Sequence, residues 1–302
     1  MEHHQSTWPE EEQTPDKEKA IQKSTWISVA VNLFLTATQV IAGLWSGSQG
    51  LVADGIHSLS DLLADFVVLI AAHHSKQEAD DDHHYGHYRY ENAASLILGV
   101  LLLIVGIGMA WSAVGKLSEP SSIAPVHSIA LWVALIALLV KEGLFRYMLA
   151  VAERVKSSML VANAWHARSD AASSLVVAVG IGGNLLGWPL LDPLAALVVG
   201  LMVSKMGFEF ALEAVHDLTD RAGTEQETES IRQEILTTPG VSGVHDLKTR
   251  RTGDLLLVDA HLEVNGNLNV RQGHDIALEA RNRVMKNHPV LEMMTHVDPI
   301  EP

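Results

Sequence analysis

Six apolar stretches, each close to the length of a membrane-spanning helix, fill most of the chain before residue 215. A helix needs about 20 residues to cross the hydrocarbon core of a bilayer. The stretches are residues 26–45, 51–72, 93–114, 129–150, 161–186 and 190–211. The rest of the chain is polar or charged. We therefore predict a disordered tail over residues 1–23, an all-α six-span membrane domain over 24–215 and a soluble domain over 216–302.

Two of the apolar stretches carry a histidine and an aspartate four residues apart. The pairs are His57 with Asp61 and His166 with Asp170. Residues four apart lie on one face of a helix, and ionisable side chains inside a membrane are costly and usually functional. Two imidazoles and two carboxylates are enough for one tetrahedral site for a divalent metal ion. The alternative is a polar seam that only holds helices together.

Other polar residues extend these faces. Asp54 and Asp65 lie on the same stripe as His57, and Gln39 lies on a narrower polar stripe of the first apolar stretch. Since lipid does not tolerate such faces, we expect them to meet around a wet cavity. The pattern leaves three roles open for Asp54 and Asp65. Each could hold a metal ligand in position, accept and release a proton, or interact with the end of a helix.

Composition limits the chemistry of any metal site. The chain has no cysteine, so thiolate ligands and disulfides are excluded and a dedicated Cu(I) protein is disfavoured. Imidazole, carboxylate, carbonyl and water remain as ligands. The formal net charge is −15 with neutral histidines, which argues against nucleic acid as a partner.

Two further groups of histidines and acids lie outside the apolar stretches. Asp80, His83 and His87 share a short polar link, where a simple solvated loop is the alternative. The second group is spread over the soluble domain, where scattered surface histidines are the alternative. Its members are His245, His261, His274, His296 and Asp298.

The soluble domain has a mixed pattern. Thr224 and Glu227 form a capping box before a helix that reaches Leu236. Strands are predicted over residues 244–251 and 255–264 around a turn at residues 252–254, then a helix over 270–287 and a strand over 291–297. The order α-β-β-α-β indicates a small two-layer α+β domain.

The charges of the links predict one orientation. The links at residues 46–50 and 187–189 contain no lysine or arginine. The opposite ends of the stretches carry basic residues, so both termini should face the cytoplasm of a multi-pass protein in the inner (plasma) membrane. The basic residues used here are Lys17, Lys19, Lys23, Lys76, Arg89, Lys141, Arg146, Arg154 and Lys156.

Taken together, these motifs resemble the cation diffusion facilitator family over about Ser24 to Pro299, and bacterial zinc and iron efflux proteins in particular. The resemblance implies a metal/proton antiporter that acts as a homodimer in the lipid bilayer, with a ferredoxin-like, metallochaperone-like cytoplasmic domain. It assigns a transport site to His57, Asp61, His166 and Asp170. It assigns a loop site to Asp80, His83 and His87, and a dimer-interface site to His245, His261, His274, His296 and Asp298. It also implies an ion pair between Arg89 and Asp220 near the membrane surface.

The resemblance bears on the transported ion as well. Some relatives have aspartate at the position of His57, and a nitrogen ligand there suits Zn²⁺ better than Mn²⁺ or Fe²⁺. We therefore expect Zn²⁺ as both cargo and regulator, with Co²⁺, Cd²⁺, Ni²⁺ and Fe²⁺ left open. A membrane metal sensor that does not transport is the competing hypothesis. A membrane hydrolase ranks lower, because no HExxH motif occurs in the apolar stretches.

Overall fold

The computed structural model describes residues 15–75, 77, 79–123, 125–154, 158–253 and 255–301. The predicted tail over residues 1–23 is therefore described only from Pro15, where the first helix begins. Lys76, Lys156 and Asp254 lie outside the described residues, and so does the side chain of Asp65.

Long helices occupy each of the six apolar stretches. Within the described residues they are α1 (Pro15–Ser46), α2 (Gln49–Ser75), α3 (Arg89–Ser118), α4 (Ile129–Arg154), α5 (Ser158–Leu185) and α6 (Leu191–Leu218). A short 3₁₀ turn, Pro120–Ser122, follows α3. Glycines with positive φ follow the ends of α1 and α5, namely Gly47 at 75° and Gly187 at 97°. A helix commonly ends at such a residue because glycine adopts this backbone conformation without steric cost.

Not all six helices have the composition of a simple membrane span. Within the described part of the chain, three are long and apolar enough to cross a bilayer, and they are Lys23–Ser46, Arg89–Ser118 and Leu191–Leu218. The other three contain the ionisable side chains described below, which lower their hydropathy. The six-span topology stays a prediction.

One compact unit consists of two segments, the chain up to Phe66 and the segment Gly99–Phe208. In it α5 packs along α4, and α4 also packs against α1. Helices α3 and α6 approach closely where glycines face each other. A Cβ atom added at Gly106 would lie 2.5 Å from the backbone nitrogen of Ser204, and one added at Gly200 would lie 2.9 Å from that of Ala110. Small residues allow this kind of contact between helix backbones in membranes.

The structure corrects one step of the orientation argument. Lys141 and Arg146 do not lie in a link between spans, because both are inside α4. Lys141 is only 2% exposed, whereas Arg146 is exposed and pairs with Glu142 one turn earlier, at 2.8 Å. Lys141 lies in the middle of the apolar stretch over residues 129–150, so it should not have been counted with the residues of a link.

A second compact unit contains Val67–Leu98 and Glu209–Pro302. After α6 it has α7 (Glu225–Leu236), β1 (Gly243–Thr252), β2 (Leu255–Asn265), α8 (Val270–Asn287) and β3 (Val290–Ile300). The predicted α-β-β-α-β order is confirmed. The sheet order is β1-β2-β3, with β1 antiparallel and β3 parallel to β2.

Both helices of this domain begin with a capping box, at Thr224 with Glu227 and at Asn269 with Gln272. The core lies between the helices and one face of the sheet, and burial alternates along β2. The core-facing residues of β2 are Leu256, Val258, Ala260, Leu262 and Val264. The other face of the sheet, called the polar face below, carries Asp259, His261 and Glu263 of β2 together with Leu257.

The contact between α3 and α6 gives a stability prediction with an internal control. We expect Gly106→Ala to lower the thermal unfolding midpoint of the purified protein in detergent, because overpacking costs about 1–3 kcal/mol. A Cβ atom at Gly108, two residues further along α3, would meet nothing within 4 Å. Gly108→Ala should therefore leave the midpoint unchanged or raise it. Equal losses in the two variants would contradict the close approach.

Candidate metal sites

Three of the four predicted intramembrane ligands converge. His57 and Asp61 of α2 and Asp170 of α5 offer ligand atoms that all lie within 4.8 Å of one another. The Nδ1 atom of His57 is 3.7 Å from Oδ2 of Asp61, and its Nε2 atom is 3.9 Å from Oδ1 of Asp170. All three residues are buried. Ligand atoms around a tetrahedral Zn²⁺ with bonds of about 2.0–2.1 Å are roughly 3.3 Å apart. The two distances involve different ring nitrogens of His57, and a single ion can use only one of them.

His166, the fourth predicted ligand, does not belong to this group. It lies on α5 one turn before Asp170, and its side chain is exposed. Its imidazole is nevertheless near enough to His57 for an electrostatic interaction. The described structure thus brings three of the four predicted ligands together and leaves His166 outside the group.

A buried polar network surrounds Asp54, which is completely buried one turn before His57 on α2. Its Oδ1 atom accepts from Ser173 at 3.0 Å and lies 3.4 Å from the Lys141 ammonium. Its Oδ2 atom accepts from Ser174 at 2.6 Å and from the side-chain amide of Gln39. Of the three roles left open for Asp54, these contacts favour support for the neighbouring ligands.

Sequence reasoning missed Lys141 as a member of this network, although a signal was present. An ionisable residue inside an apolar helix faces the protein interior and has an acidic partner as a rule. Lys141 interrupts an apolar run, and Asp54 interrupts another. Applying that rule to Lys141 would have predicted a buried pair in place of a loop residue.

The loop cluster is assembled by a tight turn. Asp80 Oδ1 lies 3.3 Å from Nδ1 of His83, and Asp80 Oδ2 lies 3.4 Å from Nε2 of His87. The turn closes with a hydrogen bond from the backbone of Gly86 to the carbonyl of His83, and Gly86 has a positive φ of 77°. The backbone N–H groups of His83 and Asp82 donate to Asp80 and lower its pKa from the ordinary 3.8. Asp80 is therefore ionised and ready to bind a cation at any pH at which the imidazoles are neutral.

The soluble domain places four of its five predicted ligands on the polar face of the sheet. His261 is paired across the sheet with His245 of β1 and with His296 of β3. Asp298 Oδ2 lies 2.9 Å from Nδ1 of His261 and 3.2 Å from Nε2 of His245, and its Oδ1 lies 3.2 Å from Nε2 of His296. Partial burial raises the pKa of Asp298, but the hydrogen bond with His261 and the nearby imidazoles outweigh it, so the pKa lies below 3.8.

The fifth predicted ligand of this domain, His274, lies elsewhere. It is exposed on α8, and it lines a cavity of about 390 Å³ with Val264 and Val297. Those residues belong to the side of the sheet that α8 covers, whereas His261 faces the opposite side. Asp246, which was not predicted, does join His245 and His261. It sits at a bulge in β1 with a positive φ of 47°, and a bulge cannot be read from strand periodicity.

The ion pair that the resemblance implied is present in the second unit. Arg89, the first residue of α3, pairs with Asp220 just after α6, and its guanidinium also lies 3.4 Å from the carbonyl of Leu218. Both side chains of the pair are about half exposed. An exposed pair of this kind is worth about 0–1 kcal/mol, so its contribution is to position the two helix ends.

Comparison with known proteins identifies relatives of the whole chain. Residues 25–219 match the family model "Cation efflux transmembrane domain", and residues 224–300 match "Cation efflux protein, cytoplasmic domain". The chain is 36% identical over 288 residues to metal tolerance protein C1 of Arabidopsis thaliana, covering 90% of this chain but only 61% of that protein. It is 33% identical over 283 residues to an uncharacterized transporter of Methanocaldococcus jannaschii (94% and 100% covered). It is 32% identical over 286 residues to the manganese efflux system protein MneS of Bacillus subtilis (95% and 98% covered).

The loop geometry predicts which histidine of the polar link matters for metal binding. We expect His83→Ala and Asp80→Ala each to weaken Zn²⁺ binding at the loop by about tenfold or more, since each removes one of three ligands. His84→Ala is the matched control, because His84 is the neighbour of His83 and lies outside the cluster. Calorimetric titration of the purified variants measures the loss, and an equal loss for His84→Ala would refute the assignment.

Proposed function

The chain belongs to the cation efflux, or cation diffusion facilitator, family of membrane metal transporters, and from this premise we propose that it exports Zn²⁺ in exchange for protons. The observation that carries the proposal is the group of His57, Asp61 and Asp170, buried between α2 and α5. Such side chains are costly at membrane depth, and a binding role explains their convergence.

The proposed transport site uses these three residues together with His166. One ligand atom from each of these three residues lies within 4.8 Å of the others, and His57 would bind the ion through one of its two ring nitrogens. His166 is within one turn of Asp170 and would complete a His₂Asp₂ set by a side-chain rotation. A site with two nitrogens favours Zn²⁺ over Mn²⁺. The relative MneS is named for manganese efflux, so Mn²⁺ is the main competing cargo.

Competition for the same ligands supports proton exchange. Imidazole binds a metal ion only when it is neutral, and carboxylate only when it is ionised, so metal binding expels protons and protonation releases the metal. In the proposed cycle the site takes up the ion from the cytoplasm, and protons that enter from the other side displace it. Movement of the helices gives the site alternating access.

We also propose six spans with both termini in the cytoplasm of the inner (plasma) membrane. Without Lys141 and Arg146, the charge asymmetry still supports this orientation. Lys17, Lys19, Lys23, Arg89 and Arg154 lie at one end of the helices, and the links at residues 46–50 and 187–189 have no basic residue.

The soluble domain is proposed as a cytoplasmic dimerisation domain that binds regulatory Zn²⁺. On the polar face of its sheet, two groups share His261: one adds His245 and Asp246, and the other adds His296 and Asp298. Their nitrogens and oxygens are of the kinds that bind Zn²⁺. His274 faces the other side of the sheet and cannot join them within one chain. If His274 is a ligand, a second copy must provide it, which would make metal binding tighten a homodimer. The loop cluster would bind Zn²⁺ in a more exposed and exchangeable way.

Transport by the buried site is tested with the full-length protein in sealed proteoliposomes. We expect Zn²⁺ influx with counterflow of protons, and we expect Asp61→Ala to abolish both, because it removes a buried ligand. Glu142→Gln is the control, since Glu142 pairs with Arg146 on the exposed side of α4. Zn²⁺ binding without flux by the wild type would instead favour the metal sensor.

Selectivity provides a second test. His57→Asp replaces a nitrogen ligand by an oxygen, which should raise the ratio of Mn²⁺ to Zn²⁺ transport by about tenfold. The initial rates of the two ions, measured separately in wild-type and variant vesicles, give this ratio. A ratio that stays the same while both rates fall would exclude His57 as a ligand.

A further inference from the structure

Two deeply buried charged residues of the first unit, one on α4 and one on α2, are not among the predicted metal ligands. Lys141 of α4 is 2% exposed and Asp54 of α2 is 0% exposed. The Lys141 ammonium lies 3.4 Å from Asp54 Oδ1 and donates to Ser174 Oγ at 2.8 Å. A buried pair does not need to stabilise a fold, since well-packed apolar residues often do so at least as well. Its presence beside a metal site therefore calls for an explanation.

Asp54 is fully occupied by its partners. Its two oxygens receive hydrogen bonds or an ion pair from Gln39 of α1, Lys141 of α4, and Ser173 and Ser174 of α5. A carboxylate with four donors has no lone pair left for a metal ion. Asp54 is thus a fixed charge and not a ligand.

The network continues directly into the proposed transport site. The Lys141 ammonium donates to the backbone carbonyl of Asp170 at 3.4 Å, and the oxygen of the Ser173 hydroxyl, whose single hydrogen is directed to Asp54, lies 2.8 Å from the same carbonyl. On the other side, Asp54 and His57 are three residues apart and share a face of α2. The pair therefore contacts the backbone of one ligand and lies one helical turn from another.

The charges of this region balance a divalent ion. Asp54, Asp61 and Asp170 provide three negative charges, and Lys141 provides one positive charge. With neutral imidazoles, two negative charges remain for the cargo, and an ion of charge +2 makes the region neutral. Charge interactions are strong in a poorly polarisable interior. Binding of one divalent ion, which makes the region neutral, is therefore favoured, and binding of a further cation is disfavoured.

Building on the proposed transport function, we propose that Lys141 and Asp54 form a resident ion pair that sets the charge of the transport site and thereby its affinity for a divalent cation. Both are positioning residues, which act on the cargo through the field that they create and through the backbone of Asp170. The pair keeps the two charges of Asp61 and Asp170 available to the ion, and it neither binds the ion nor leaves with it.

The proposal predicts shifts of opposite sign in two single variants. Lys141→Met leaves Asp54 uncompensated beside the site, so the KM for Zn²⁺ should fall by about tenfold and turnover should slow because release is harder. Asp54→Asn leaves Lys141 uncompensated, so the KM should rise by about tenfold or more. The double variant Asp54→Asn with Lys141→Met removes both charges and should bring the KM back to within about threefold of the wild-type value.

These values come from initial rates of Zn²⁺ influx into proteoliposomes over a range of Zn²⁺ concentrations, which separate KM from turnover. Arg146→Met is the matched control, because Arg146 is an exposed cation of the same helix, 76% accessible, and its loss should leave the KM unchanged. A role in folding alone would lower turnover in both single variants without moving KM in opposite directions. That result, or a double variant no closer to wild type than the singles, would overturn the proposal.

The test still gives a result if one of the variants does not fold. A thermal unfolding profile in detergent shows which variants are folded. If Lys141→Met is not folded, Asp54→Asn and the double variant still decide, because adding Lys141→Met must reverse the rise in KM. Absence of transport of any divalent ion by the wild type would count against the proposed function itself, whereas transport with the wrong pattern of KM shifts would count against the ion pair alone.

Discussion

A completely buried carboxylate organises the helices around the candidate transport site. Asp54 of α2 takes its partners from α1, α4 and α5, so its charge is acceptable only while all four helices keep their positions. Removing one partner of a buried pair typically costs about 3–5 kcal/mol, because the other charge is left uncompensated. The position of His57, three residues further along α2, depends on the same arrangement.

The clusters of histidine and aspartate differ in how their members meet one another. In the buried group, one ring nitrogen of His57 lies 3.7 Å from Asp61 and the other lies 3.9 Å from Asp170. On the sheet of the soluble domain, Asp298 is within 2.9–3.2 Å of three imidazoles, and its contact with His261 is a hydrogen bond that a metal ion would have to replace. The members of the sheet cluster therefore already interact more closely with one another than those of the buried group.

The sequence predicted what depends on local periodicity. The helices, the capping box at Thr224 and the range of α8 follow from spacings of three to four residues, and the structure agrees with each. The spacing of His57 and Asp61 also identified a polar face of α2. Contacts between distant segments were not accessible in this way. The interruption of an apolar run by Lys141 indicated burial, but the identity of its partner, 87 positions away, could not be derived from local spacing. The sheet faces that separate His274 from His261 depend on how α8 packs.

The distribution of the apolar core limits how the first unit can rearrange to change access. One core cluster combines residues of α2, α3, α4, α5 and α6, among them Leu51, Ala113 and Val199. At the same end, Asp192 in the first turn of α6 accepts hydrogen bonds from Ser48 Oγ and the backbone of Gln49, at 2.5 and 2.8 Å.

Another cluster, built on Phe145 and Ala164, contains described residues of α1, α4 and α5 alone. The close approach of α3 and α6 through Gly106 and Gly200 packs these two helices directly against each other. Near Asp192 they share a core with α2, α4 and α5, whereas no described member of the second cluster belongs to α3 or α6. The network around Asp54 adds α2 to the contacts among α1, α4 and α5, so the helix of His57 and the helix of Asp170 are held together by buried polar contacts as well as by the apolar core.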